Sequence, residues 1–264
     1  MYEIIFYSSV LVLGLLIGSF LNVCIYRIPK KDNIARGRSH CMNCNRNLTW
    51  YELLPIISYV FLRGKCRTCK SKISIQYPII EAVNGILYWV VFYIYGLESV
   101  EIILLNFIYC FTISTLIVIS VIDFRTYIIP NVLNGLIFLW AALRTIISYV
   151  ESGMDMSILL EHIIGFFSVS LILAIIFFST KGKGIGGGDV KLMASAGLLL
   201  GWKVTLFSFI LACILATVIH LAMMKFGKSG RMLAFGPYLS ISIIIGILYG
   251  KKVVDWYIST FIYI

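Results

Sequence analysis

Two sets of residues in this chain have types and spacings that could do chemistry. The first is four cysteines in two C-x-x-C pairs. Cys41-Met42-Asn43-Cys44 and Cys66-Arg67-Thr68-Cys69 are separated by the 21 residues between Cys44 and Cys66. Each C-x-x-C turn can bring two sulfurs to about 3.7 Å, and zinc binds four thiolates at about 2.3 Å in a tetrahedron. Iron could fill the same sulfur cage. Disulfides would need an oxidising compartment, and a dithiol redox pair would need only one C-x-x-C. Metal is the preferred reading, with zinc ahead of iron. With all four positions taken by sulfur no place remains for water, so the expected role is structural. Cys24, Cys110 and Cys213 lie in apolar runs and read as small packing residues.

The second set is two aspartates beside apolar segments. Asp123 stands in Ile122-Asp123-Phe124-Arg125-Thr126-Tyr127-Ile128-Ile129-Pro130-Asn131, and Asp189 follows Gly184-Ile185-Gly186-Gly187-Gly188. Ionisable groups at membrane depth are costly and are functional candidates by default. Two carboxyls sharing one proton can activate water and polarise a carbonyl, because close like charges do not both ionise. Gly186 and Gly188 would let the backbone pass close to an aspartate and to a substrate strand. Other readings stay open here. Asp123 with Arg125 could be an interfacial ion pair, Asp189 could cap its helix, and the two acids could relay protons or cations in a transporter. The glycines lack the spacing of a phosphate-binding loop. His162 and His220 lack partners nearby in sequence and read as helix–helix hydrogen-bonding residues.

The elements that must position these groups are set by composition. Of 264 residues 60% are hydrophobic and only 13% charged, with a mean hydropathy of +0.97. Such a chain cannot cover one small core with polar surface, and it reads as an all-α polytopic membrane protein. Apolar runs at about 4–26, 79–96, 102–122, 128–147, 160–179, 204–224 and 233–250, with a shorter one at 189–201, give about eight transmembrane helices. The net charge is +10, and eleven Lys or Arg against two acids fall between Arg27 and Lys72. Basic loops at 27–72, 181–183 and 225–231 alternate with acidic loops at 97–101 and 151–155. The positive-inside rule then places the N-terminus outside, and the insert and both aspartates on the cytoplasmic side. Lys203, Lys251 and Lys252 oppose this mildly. Glu3 and the lack of a basic n-region argue against a cleavable signal peptide. The chain therefore divides into a first transmembrane helix (1–26), a four-cysteine insert (27–78) and a membrane-embedded domain (79–264). About 50 residues are too few for a self-sufficient core, so the insert needs its metal staple. Its basic charge suits lipid headgroups, and no nucleic-acid partner is expected.

These residues resemble the type IV prepilin peptidases, or leader peptidase/N-methyltransferases, from about residue 18 to residue 238. Gly18-Ser19-Phe20-Leu21-Asn22-Val23-Cys24-Ile25-Tyr26-Arg27-Ile28-Pro29 is similar to the family's first-span signature. Leu54-Pro55, Gly64-Lys65-Cys66 and Tyr77-Pro78-Ile79-Ile80-Glu81 match the insert and its exit. Asp123 with Ile129-Pro130-Asn131 matches the first catalytic aspartate region. Gly186-Gly187-Gly188-Asp189 matches the GxGD motif that carries the second. Phe235-Gly236-Pro237 resembles a late PFGP element, with Ala234 in place of its first proline.

The resemblance implies cleavage of the basic leader of a prepilin or pseudopilin at the cytoplasmic face of the inner membrane. Asp123 and Asp189 would be catalytic. It further implies N-methylation of the new terminus with S-adenosylmethionine, since the cysteine-bearing insert is typical of bifunctional members. Asn22, Arg27, Gly64 and Glu81, all in matched segments near the insert, are the candidates for the methyl-donor site. The competing reading is a peptidase only, whose zinc insert recognises substrate. Oligomeric state is not legible in the sequence.

Overall fold

The computed structural model describes residues 2–225 and 233–261, and all its regular structure is helical. The basic stretch expected at 225–231 lies, from residue 226 on, outside the described residues. Among those described, seven helical spans are long and apolar enough to cross a bilayer. The protein is a multi-pass membrane protein. Two compact units divide it, Met1–Asn106 and Phe107–Ile264.

In the first unit α1 (Tyr2–Arg27) leads into the insert. The insert holds a 3₁₀ turn (Trp50–Leu53) and the short α2 (Ile57–Phe61), and α3 (Gln76–Tyr95) follows it. Glycine sets how closely α1 and α3 approach. A Cβ on Gly14 would lie 2.8 Å from the Gly85 Cα, and one on Gly18 would lie 2.7 Å from the Glu81 Cα. Small residues at such crossings let backbones touch where lipid supplies no hydrophobic drive. The fully buried Asn84 donates to the Gly14 carbonyl at 2.7 Å and fixes the register of the pair.

Helix α4 (Val100–Thr126) runs from the first unit into the second. The second unit continues with α5 (Asn131–Glu151), α6 (Met156–Ser168), α7 (Ser170–Ser179), α8 (Gly187–Leu200), α9 (Trp202–Lys225), α10 (Gly236–Ile245) and α11 (Lys251–Phe261), with a π turn at Gly246–Gly250 between the last two. The apolar run 160–179 is one candidate span made of α6 and α7. The third run, apolar to 122, continues as helix to Thr126, so Asp123 stands in the last turn of α4.

The short eighth segment, α8, is a 14-residue helix. At 1.5 Å per residue it reaches about 21 Å, less than a bilayer core. It survives because it is surrounded. Leu192, Met193, Ala196 and Leu199 are buried, and α5, α6, α7 and α9 all pack on it. At the α6 crossing, a Cβ on Gly197 would lie 2.0 Å from the Gly165 carbonyl oxygen. The far end of α8 is tied by side chains of two helices. Thr145 of α5 donates to the Leu198 carbonyl at 2.9 Å, and His162 Nδ1 of α6 bonds the same oxygen at 2.8 Å. Arg144 contacts the other ring nitrogen of His162 and lies 3.3 Å from the Tyr109 hydroxyl. His162 is thus a helix–helix hydrogen-bonding residue, as its sequence setting suggests.

Candidate functional site

The site in the second unit begins with the turn that ends α4. Tyr127 takes a left-handed conformation (φ 56°) and its N–H bonds the Asp123 carbonyl at 2.8 Å, which stops the helix one turn past Asp123. The chain then runs through Ile128 and Ile129, and Pro130 precedes the first turn of α5. Asp123 itself is buried, and its Oδ2 accepts a 2.8 Å bond from the Gly236 amide at the start of α10. A Cβ on Gly236 would lie 2.6 Å from that oxygen.

Asp189 stands in the first turn of α8. Gly186 is the residue before the helix. The N-cap position is thus Gly186, and Asp189 stands inside the helix rather than at its cap. Asp189 lies close enough to Asp123 for their charges to interact. Two acids 66 positions apart are thus brought near each other, and the Asp123 carboxyl is held by a glycine amide. The glycines act at close quarters. A Cβ on Gly188 would lie 2.8 Å from the Ile129 Cβ, and one on Gly186 3.0 Å from Asp189 Oδ2. Gly188 is already helical, so the irregular stretch is shorter than the glycine run suggests.

Two asparagines one turn apart on α5 dock this end of α8. Asn134 donates to the Gly188 carbonyl at 3.2 Å, and Asn131 accepts from Lys191 at 2.8 Å. The sequence carries no signal for Asn134 beyond its being polar in an apolar helix. The Gly236 amide was also unforeseen, although its segment matched the family.

The four cysteines converge in the first unit. Their Sγ atoms all lie within 4.8 Å of one another, and Cys41 and Cys69 are 3.8 Å apart. A regular tetrahedron with bonds of about 2.3 Å has edges of about 3.8 Å. Both pairs use the same turn. Asn45 and Lys70 follow the second cysteine of each pair with φ of 53° and 59°. The Asn45 and Lys70 amides bond the carbonyls of Cys41 and Cys66. Isolated bridges His40–Asn47 and Lys65–Lys72 close the two turns in equivalent positions. The Ser71 hydroxyl, 3.1 Å from Cys69 Sγ, and the Ser71 amide hold that thiol near a pKa of about 5. Cys44 is drawn down by the Arg46 amide, but burial and the three neighbouring sulfurs carry it up to about 11. Four sulfurs this close do not all ionise without a cation among them, so the donor set fits a divalent metal.

The donor-site candidates also fall in the first unit. Glu81 is buried, and its Oε2 accepts from the Ile56 amide at 2.7 Å. Ile56 has a left-handed φ of 60°, a strained setting for a β-branched residue. Asn22 is buried near it on α1, 3.3 Å from the Tyr77 carbonyl. Those two share the α1–α3 crossing. Arg27 and Gly64 serve their own loops. The Arg27 guanidinium bonds the carbonyls of Asn33, Ile34, Arg36 and Gly37. Gly64 has a φ of 66° and lies beneath the Tyr59 hydroxyl, 2.9 Å from where its Cβ would be.

Comparison with known proteins converges on one family. Residues 12–95 match the bacterial Peptidase A24 N-terminal domain, and residues 110–221 match the type IV leader peptidase family. The chain is 34% identical to a prepilin leader peptidase/N-methyltransferase of Bacillus subtilis, covering 96% of this chain and 98% of the relative. It is 30% identical to one of Pseudomonas putida over 94% and 92%. It is 33% identical to one of Neisseria gonorrhoeae over 88% and 86%. No solved structure matches it. With such identity along nearly its whole length, this chain belongs to the type IV prepilin leader peptidase/N-methyltransferase family of enzymes.

Proposed function

We propose that this protein removes the leader of a type IV prepilin or pseudopilin with Asp123 and Asp189, and methylates the new N-terminus. The observation that carries the peptidase half is the approach of two acids from α4 and α8, with Asp123 held by the Gly236 amide. One carboxylate takes a proton from water as the water attacks the scissile carbonyl. The other, protonated, donates to the carbonyl oxygen; the first then passes the proton it took from water to the leaving amine as the diol collapses and returns a proton to the second, with no acyl-enzyme. The glycines at 186, 188 and 236 keep side chains out of the space that the substrate strand must share with the acids.

The methyl half is assigned to the first unit. S-adenosylmethionine would supply the methyl group. Glu81 accepts one amide bond from Ile56 and has acceptor capacity left for the donor's ammonium group. Asn22 is its neighbour at the α1–α3 crossing. Zinc in the four-cysteine cage would hold the insert's fold by joining the two C-x-x-C turns, without touching substrate. In this reading the first helix (1–26), the insert (27–78) and α3, which carries Glu81, serve methylation, and the rest of the membrane-embedded part serves cleavage. Charge bias supports a position in the inner membrane with the insert and acids facing the cytoplasm.

The test is mass spectrometry of a prepilin incubated with the purified protein, with and without S-adenosylmethionine. Leader loss in both arms, with one added methyl only with the donor, is the expected result. Leader loss without methyl addition would leave the peptidase-only reading. An uncut substrate together with ion flux in proteoliposomes would favour the transporter reading.

A further inference from the structure

The insert carries an apolar face that neither the dyad nor the metal cage uses. From Trp50 to Leu62 the sequence holds one charged residue, Glu52. That acid is turned inward. Its side chain is 2% exposed, 2.6 Å from Arg46, and it accepts from both the amide and the hydroxyl of Thr49. The apolar residues turn the other way. On the 3₁₀ turn, Trp50 is 76% exposed and Leu53, three residues on, is exposed too. On α2, Ile57, Val60 and Phe61 share one face by their spacing, with Val60 64% and Phe61 83% exposed. A soluble module this small would bury such a face or lose it.

Basic residues flank the face. Arg63, Lys65, Arg67, Lys70 and Lys72 are all exposed, and Arg67 also lies over the Tyr51 ring. The insert is tethered at both ends. It leaves the C-terminal end of α1 and returns at the N-terminal end of α3, two candidate spans packed against each other. Both tethers therefore emerge from one bilayer surface. Aromatic and aliphatic side chains beside a cluster of cations, with the nearby acids Glu52 and Glu81 buried, is the composition of an interfacial membrane anchor. The cations complement anionic headgroups.

We propose that Trp50, Leu53, Ile57, Val60 and Phe61 insert into the lipid interface, with Arg63, Lys65 and Arg67 over anionic headgroups, so that the four-cysteine insert lies down on the bilayer. Its inward Glu52–Arg46 pair is part of this device, since an outward acid there would face the same headgroups.

Site-specific photocrosslinking of the full-length protein in nanodiscs, alone and with added prepilin, tests this without measuring turnover. Separate variants Phe61→p-benzoyl-phenylalanine and Trp50→p-benzoyl-phenylalanine replace exposed aromatics with an aromatic photoprobe, and Arg38→p-benzoyl-phenylalanine is the exposed polar control. The expected result is lipid adducts at Phe61 and Trp50 several-fold above the Arg38 level. The yield should rise when phosphatidylglycerol replaces part of the phosphatidylcholine, and the rise should shrink in an R63Q/K65Q background. Adducts to the protein's own chain, adducts to added prepilin in place of lipid, or yields equal to the Arg38 control would each overturn the proposal.

Discussion

Gly236 makes a sharp residue-level demand on the site. Its amide donates to Asp123, and a methyl group there would stand 2.6 Å from the carboxyl oxygen. Gly236→Ala must therefore displace Asp123. Displacement of a reacting group by about 1 Å costs roughly 10²-fold in rate. Leader cleavage in this variant should fall by about that factor in kcat with little change in KM, read from initial rates on a prepilin. Glu52 makes a different demand. Burial alone would raise its pKa, but Arg46 and then the Thr49 amide and hydroxyl hold it down to about 2, against an ordinary 4.5. A carboxylate depressed in the folded state stabilises it above its unfolded pKa, and that contribution is lost as pH falls towards the folded value. Glu52→Gln should loosen the insert at neutral pH by roughly 1–3 kcal/mol. The gap to the parent should close between about pH 4.5 and pH 2, as read by hydrogen exchange of the Thr49 amide.

At the scale of elements, α8 shows how a helix too short to span is kept in place. Its N-terminal turn is docked by Asn131 and Asn134, its C-terminal carbonyl by Thr145 and His162, and its middle by a glycine–glycine crossing. Gly197→Ala puts a methyl into the Gly165 carbonyl. It should destabilise the second unit by about 1–3 kcal/mol, with a lower Tm in detergent and weaker cleavage. The insert is held otherwise. Two equivalent C-x-x-C turns meet through four sulfurs, so Cys66→Ser should release bound metal and unfold the insert. Chelation should do the same to the parent protein. Both treatments should lower methyl transfer more than leader cleavage, as followed by metal analysis alongside the two activities.

Across the whole molecule, the sequence displayed what depends on spacing or composition. The apolar runs, the cysteine pairs and the two acids with their glycines could all be read directly, because a bilayer and a tetrahedral cage impose regular demands. Contacts between distant segments carried no such signature. Nothing local marks the Gly236 amide as Asp123's partner, Asn134 as the contact of Gly188, or Glu52 as an acid turned inward among exposed apolar neighbours. Asp123 ends the apolar run without ending the helix, which continues to Thr126.

The central claim is that Asp123 and Asp189 work as one pair, apart from the methyl-transferring first unit. Its most direct test is a comparison of Asp123→Asn and Asp189→Asn with the parent protein, on both an intact prepilin and a leader-free pilin peptide supplied with S-adenosylmethionine. Either variant should lose leader cleavage by at least about 10²-fold and still methylate the leader-free peptide at the parent's rate. Near-normal cleavage by either variant would contradict the account.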